Sequence, residues 1–162
     1  MNKAEELVSL LAAKGLTCAT AESCTGGGVG SAITSVPGSS AVFQGGVISY
    51  SNDVKANVLG VSRDSLSRVG AVSQEVAEQM ACGARRLAMA DIAVSLTGIA
   101  GPGGGSAGKP VGLVWFGLAT ARGVRSERRV FSGDRASVRA AAVEHAIEMM
   151  ASAAGEEKAP GR

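Results

Sequence analysis

A triple glycine, Gly26-Gly27-Gly28, separates two apolar segments of different period. Leu16 to Thr20 alternates as a strand does, while Val29 to Ile33 repeats as a helix does. A strand that turns sharply into a helix puts its turn at the end of a sheet, where glycines let a ligand approach bare N–H groups. Here the turn reads Ala21-Glu22-Ser23-Cys24-Thr25-Gly26-Gly27-Gly28, offering a carboxylate, two hydroxyls and a thiol within four successive residues. Such a junction directs the chain toward an α/β fold.

The remaining elements agree with that class. Ala4, Leu7, Val8 and Leu11 have helical spacing, and Gly15 is placed to stop the helix. The pattern predicts a strand over Leu16 to Glu22, a helix over Thr25 to Ser35 and a strand over Phe43 to Ser51. A short helix to Leu59, capped by Asn52 or Asp53, and a loop with a turn of helix over Ser62 to Gly70 come next. Ser73 is a natural N-cap for a helix with Val76, Met80, Ala84 and Leu87 on one face. Ile92, Val94 and Leu96 form a strand that runs into a glycine-rich loop. Val111 to Ala121 and Val124 to Phe131 read as an antiparallel hairpin, and Asp134 opens a final helix. Crossover helices combined with one hairpin predict a three-layer α/β/α sandwich with a mixed β-sheet.

Composition narrows the function classes. At 162 residues the chain reads as a single domain over 1–154 with a flexible C-terminal tail at 155–162. Aromatics are only 3% against 46% apolar residues, so the core must be built from Val, Leu, Ile and Ala. A net charge of +2 gives no electrostatic case for nucleic acid, and the basic cluster from Arg122 to Arg139 lacks interleaved aromatics. The first ten residues carry Lys3, Glu5 and Glu6, unlike a signal peptide, and no apolar run has membrane-spanning length. Cys18, Cys24 and Cys82 have no paired spacing, which favours a reducing, cytoplasmic compartment and argues against a structural zinc site.

Two glycine patterns invite a nucleotide-binding reading. Gly103, Gly108 and Lys109 have P-loop spacing, and Gly103, Gly105 and Gly108 have dinucleotide-fingerprint spacing. Both mechanisms require a helix to follow the loop. Pro110 stands at the P-loop Ser/Thr position and Val111 to Leu118 reads as strand, so neither fits; the loop is better read as a flexible rim over a ligand.

A nucleophile at the first turn needs a base. The only histidine, His145, lies far along the final helix and reads as a helix-face residue. A lysine kept neutral by burial is the alternative base. Lys55 follows Tyr50-Ser51-Asn52 at a second strand-to-helix junction, and two junctions at the same sheet end would bring Ser23 and Lys55 together. Ser23 as a helix cap and Lys55 as a solvated residue are the bland readings beside this one.

Six ordered segments carry a resemblance: AESCTGG (21–27), GSSAVFQGGVISYSNDVK (38–55), GAVS (70–73), TGIAGPGGG (97–105), KPVGLVWFG (109–117) and FSGDR (131–135). Together they resemble the nicotinamide-nucleotide amidases, the family of the C-terminal domain of the competence-damage-inducible protein CinA, in its stand-alone form. One departure is Gly28, where many members carry a bulky residue; its absence would loosen a pocket wall.

The resemblance implies hydrolysis of nicotinamide mononucleotide to nicotinic acid mononucleotide and ammonia, in the cytoplasm and as a homodimer, with no cofactor and no metal. It assigns Ser23 as nucleophile, Lys55 as base and Tyr50 as a proton-relay or orienting group. Backbone N–H groups around Thr25, Gly26 and Gly27 would form the oxyanion hole. Arg135 and Arg139 lie one turn apart near the start of the last helix, where a cation opposes the macrodipole unless an anion is bound. Arg135 is therefore expected at the nucleotide phosphate, with Thr97 and Gly98 lining the site. Two alternatives stand beside this: Cys24 as the nucleophile, and a catalytically idle nucleotide-binding or protein-interaction module on the same fold.

Overall fold

The computed structural model describes residues 1–160, and the rest of the expected tail, 161–162, lies outside them. Five strands form one sheet in the order β2-β1-β3-β4-β5. In chain order the elements are α1 (Lys3–Lys14), β1 (Cys18–Glu22), α2 (Gly28–Thr34) and β2 (Phe43–Ile48), then α3 (Asn52–Asn57), α4 (Arg63–Val69) and α5 (Gln74–Ala88). β3 (Ile92–Gly98), β4 (Leu113–Thr120), β5 (Gly123–Val130) and α6 (Arg135–Glu156) complete the chain. β1 runs parallel to β2 and β3, whereas β3–β4 and β4–β5 are antiparallel, so the sheet is mixed as expected.

Alternation along the strands sorts the two faces. Cys18, Ile92, Val94, Leu96, Phe116 and Leu118 pack under α1, α2 and α6 in the larger core. Ala19, Ala21 and Ala93 point the other way, toward Val76, Met80 and Ala84 of α5. That second face is built from small residues because α5 lies almost on the sheet backbone. A Cβ on Gly117 would come within 2.2 Å of the Ala77 carbonyl oxygen. The scarcity of aromatics thus has a packing counterpart: one face takes branched aliphatics, the other admits a helix only over Ala, Ser and Gly.

The structure redraws several boundaries. α2 starts at Gly28 rather than Thr25, because Gly26 and Gly27 have φ of 58° and 99° and complete the turn first. Ser51, not Asn52 or Asp53, caps α3, its hydroxyl accepting the Val54 N–H at 3.1 Å. Residues 63–69 form a helix of seven residues where a loop with a turn of helix was expected. Its surface is polar, and Ser62 caps it while Arg68 reaches Glu75 at 2.7 Å. Leu87 is 53% exposed, off the buried face of α5 that Val76, Met80 and Ala84 share. α6 continues through Glu156, two residues into the expected tail. The Lys14 ammonium holds that end, donating to the carbonyls of Ala154, Gly155 and Glu157 at 2.7–2.9 Å.

Candidate active site

The parallel register aligns Glu22 with Ile48 and Leu96, so the carboxyl ends of β2, β1 and β3 open on one edge. Ligands bind at that edge in open α/β sheets. A cavity of about 300 Å³ lies there. Ser23 and Cys24 come from the turn after β1, and Tyr50, Asn52 and Lys55 from the junction after β2. Ala71 and Val72 form a wall, the end of β3 and the loop that follows it (97–104) a rim, and Arg135 of α6 closes one side. A second cavity of similar size, about 330 Å³, lies beside the β4–β5 turn. Its Arg122 and Arg125 are paired with Glu156, and it holds no nucleophile–base pair.

Lys55 projects from the short helix α3 into the protein and is 1% exposed. Its Nζ lies 3.1 Å from Ser23 Oγ, 2.8 Å from the Ser49 carbonyl and 3.2 Å from the Tyr50 carbonyl. Three neutral oxygens surround it. Burial lowers its pKa from the ordinary lysine value, partly offset by the nearby Cys24. A neutral amine has two N–H groups and one lone pair. The two carbonyls accept the N–H groups, leaving the lone pair for the Ser23 hydroxyl proton. Two junctions separated by 32 residues therefore meet as the sequence predicts.

Cys24 sits on the same turn in a different environment. It is 6% exposed, and burial pushes its thiol up to about 11. A thiol at that value is a minor thiolate at neutral pH.

Glu22 organises the turn from below, a role that sequence reading did not assign. Its carboxylate is 2% exposed and accepts the Thr25 hydroxyl at 2.7 Å, the Val29 N–H at 2.8 Å and the Gly30 N–H at 3.1 Å. Gly27 gives α2 no side-chain cap, so a residue at the end of the preceding strand caps that helix instead. The only hint in the sequence is an acid at the strand end with Thr three residues on and glycines after it.

The other expected site residues divide into two groups. Thr97, Gly98 and Arg135 line the cavity. Thr97 does so with its hydroxyl committed, donating to the Ala71 carbonyl at 2.9 Å and pinning the Ala71–Val72 wall. Arg135 spans the mouth, its Nη1 donating to the Gly101 carbonyl at 2.9 Å and its Nη2 to the Tyr50 hydroxyl at 3.5 Å. Thr25, Gly26 and Gly27 are not among the cavity-lining residues. Thr25 is buried against Glu22, and the Gly26 N–H turns back to the Ser23 carbonyl at 3.1 Å. Tyr50 reaches Lys55 through its backbone carbonyl, while its ring, 64% exposed, stands at the rim.

Gly28 does not border the cavity, contrary to expectation. A Cβ there would meet Val143 Cγ2 of α6 at 2.9 Å, so the missing side chain sets the α2–α6 approach, not a pocket wall. The glycine loop is a rim and not a phosphate cradle. Lys109, the residue at the P-loop lysine position, donates to the Val69 carbonyl at 2.6 Å and ties the loop to the end of α4. His145 is a helix-face residue, its Nε2 2.8 Å from Glu127 and its ring edge-on to Phe116.

Known proteins share this architecture. The family model for the CinA C-terminal domain matches residues 1–154. The nicotinamide-nucleotide amidohydrolase PncC of Escherichia coli K12 is 51% identical over 151 residues, covering 93% of this chain and 92% of that protein. A putative competence-damage inducible protein of Halothermothrix orenii is 54% identical over 132 residues, which span 81% of this chain and 32% of that longer protein. Among solved structures, a CinA superfamily protein from Klebsiella pneumoniae superposes with a TM-score of 0.92 at 35% identity, over 96% of this chain and 97% of the other. The competence/damage inducible protein CihA of Agrobacterium tumefaciens gives 0.88 at 43% identity, over 96% and 97%. With agreement in both sequence and fold over nearly the whole chain, this protein belongs to the CinA C-terminal domain family.

Proposed function

We propose that this protein deamidates nicotinamide mononucleotide by a Ser–Lys mechanism, with Ser23 as nucleophile and Lys55 as the proton carrier. The activity is that of the half-identical PncC relative, and it makes the chain an amidohydrolase acting on a small nucleotide. The observation that carries the mechanism is the 3.1 Å approach of a fully buried lysine to the Ser23 hydroxyl.

Neutral Lys55 takes the Ser23 proton as Oγ attacks the carboxamide carbon. The resulting ammonium then protonates the departing nitrogen, the C–N bond breaks, and ammonia leaves an acyl ester on Ser23. Water, deprotonated by Lys55 again, attacks the ester, and the proton returns to Ser23 as the carboxylate is released. The cycle consumes one water and returns both side chains to their starting states. Developing charge on the carbonyl oxygen requires N–H donors. The Gly26 N–H is engaged by Ser23 O, so the Cys24 and Thr25 N–H groups at the start of the turn are assigned that task.

Arg135, at the first helical position of α6, is assigned to the nucleotide phosphate. It bridges two neutral oxygens, and a phosphate would offer the bidentate partner that a guanidinium prefers. Tyr50 then orients Arg135 and the ring end of the substrate from the rim. The family resemblance extends the reading to a cytoplasmic homodimer, and equilibrium sedimentation tests the dimer directly. No helix of the described residues is long and apolar enough to cross a membrane.

Ammonia release from nicotinamide mononucleotide tests the whole reading. Wild type should release it, and Ser23→Ala and Lys55→Ala should not; equal release by all three would leave the reaction and remove this mechanism.

A further inference from the structure

We propose that Arg139 is a positioning residue for this reaction, holding the Cys24–Thr25 and Thr25–Gly26 peptide planes so that the Thr25 N–H is preset for the oxyanion. The proposal rests on the Ser23 reading above. Arg139 lies one turn beyond Arg135 on α6. Its Nε donates to the Cys24 carbonyl at 3.1 Å and its Nη2 to the Thr25 carbonyl at 3.3 Å. A guanidinium is flat and rigid, so two donors on one edge hold successive carbonyls on one side of the turn.

A trans peptide points its N–H opposite to its C=O. Drawing the Thr25 carbonyl toward Arg139 turns the Gly26 N–H away from it, and that N–H does reach back to the Ser23 carbonyl at 3.1 Å. By the same geometry, drawing the Cys24 carbonyl outward turns the Thr25 N–H to the side opposite Arg139. Gly26 has φ of 58°, and a Cβ there would stand 3.7 Å from Arg139 Nη2, so the guanidinium lies close along the turn. The Glu22 carboxylate meanwhile grips the Thr25 hydroxyl and the Val29 and Gly30 N–H groups of α2. The turn is held between an acid that takes its donors and a base that takes its acceptors. Lysine at 139 would bring one point donor in place of an edge.

The test compares kcat and KM for nicotinamide mononucleotide in wild type, Ser23→Ala, Arg139→Ala and Arg139→Lys, with guanidinium ion added to the alanine variant. Misplaced groups at a reacting centre cost up to about 100-fold in rate. Arg139→Ala is expected to lose about 10- to 100-fold in kcat with KM changed by less than about threefold, and Arg139→Lys to lose less. Free guanidinium should restore part of the alanine variant's kcat. In a Cys82→Ser background, Cys24 should react faster with a thiol reagent in Arg139→Ala than with Arg139 present, because the turn opens more often. Wild-type kcat in Arg139→Ala overturns the proposal. So does a loss that guanidinium does not restore while Arg139→Lys stays fully active. If the alanine variant fails to fold, the lysine variant decides: an unchanged kcat overturns the proposal and a reduced kcat at unchanged KM supports it. Activity in Ser23→Ala removes the Ser23 reading instead, and is distinguished by that variant alone.

Discussion

Lys55 meets Ser23 inside the protein, with Nζ and Oγ 3.1 Å apart and the lysine 1% exposed. Burial lowers the lysine pKa, so the neutral base becomes available at a lower pH than for a solvated lysine. kcat/KM should rise with pH as Lys55 deprotonates and level off below the ordinary lysine range. A pH–rate profile checks this, and a profile that rises only at the ordinary lysine value would contradict it.

The same shift bears on stability, with a definite sign. A lysine whose folded pKa is below its unfolded value binds fewer protons folded than unfolded between those two values. Stability should therefore increase with pH across that window, and the Lys55 contribution should disappear as pH falls through the folded value. Lys55→Met should lack this increment in denaturant titrations run at several pH values, whatever its absolute stability.

Glu22→Gln should be costly for a substitution of nearly identical shape. The buried carboxylate accepts three donors, and an amide supplies only one acceptor oxygen while turning an NH₂ toward groups that are themselves donors. Loss of about 1–3 kcal/mol by denaturant unfolding is expected. kcat should fall as well, since the turn that carries Ser23 is held by those contacts.

Cys24→Ala should retain kcat within about threefold, because a buried thiol raised to about 11 contributes little thiolate at neutral pH. Steady-state ammonia release measures it, and abolished activity would transfer the nucleophile to Cys24.

Two glycines should respond differently to alanine. At Gly117 the added methyl meets the Ala77 carbonyl oxygen at 2.2 Å, and backbone cannot swing aside. At Gly28 it meets the end of the Val143 side chain at 2.9 Å, which Val143→Ala removes. Gly117→Ala should therefore destabilise strongly, by about 3 kcal/mol or more, as overpacking of a tight contact does. Gly28→Ala should be milder and largely rescued by Val143→Ala in a double-mutant cycle.

The legible part of this fold is local. Gly15 ends α1, Ser73 and Asp134 cap α5 and α6, and the β4–β5 hairpin follows from two β segments joined at Arg122-Gly123, all within a few residues of chain. Lys55 and Ser23 were legible as a pair because both sit at strand-to-helix junctions, which a parallel sheet brings to the same edge. α4 was hidden because a helix lying on the surface with a single buried leucine has almost no apolar period to read. Arg139 was hidden for another reason: its carbonyl partners are 114 and 115 residues away, and backbone acceptors leave no trace in residue type. The expectation for Gly28 failed on direction, since a residue's position beside a turn does not say which side of the helix faces the ligand.

α6 extends from Arg135 to Glu156, with Lys14 fastened to its far end. Four residues of helix rise about 6 Å, so Arg135 and Arg139 are graduations on one rigid rod. One mark lines the cavity and the other grips the turn that carries Ser23. Sliding the rod would shift both marks together, keeping their separation while displacing each from its partner. A change at the remote anchor, such as Lys14→Ala, would thus be felt as a loss of alignment at both arginines at once, although Lys14 itself does not border the cavity.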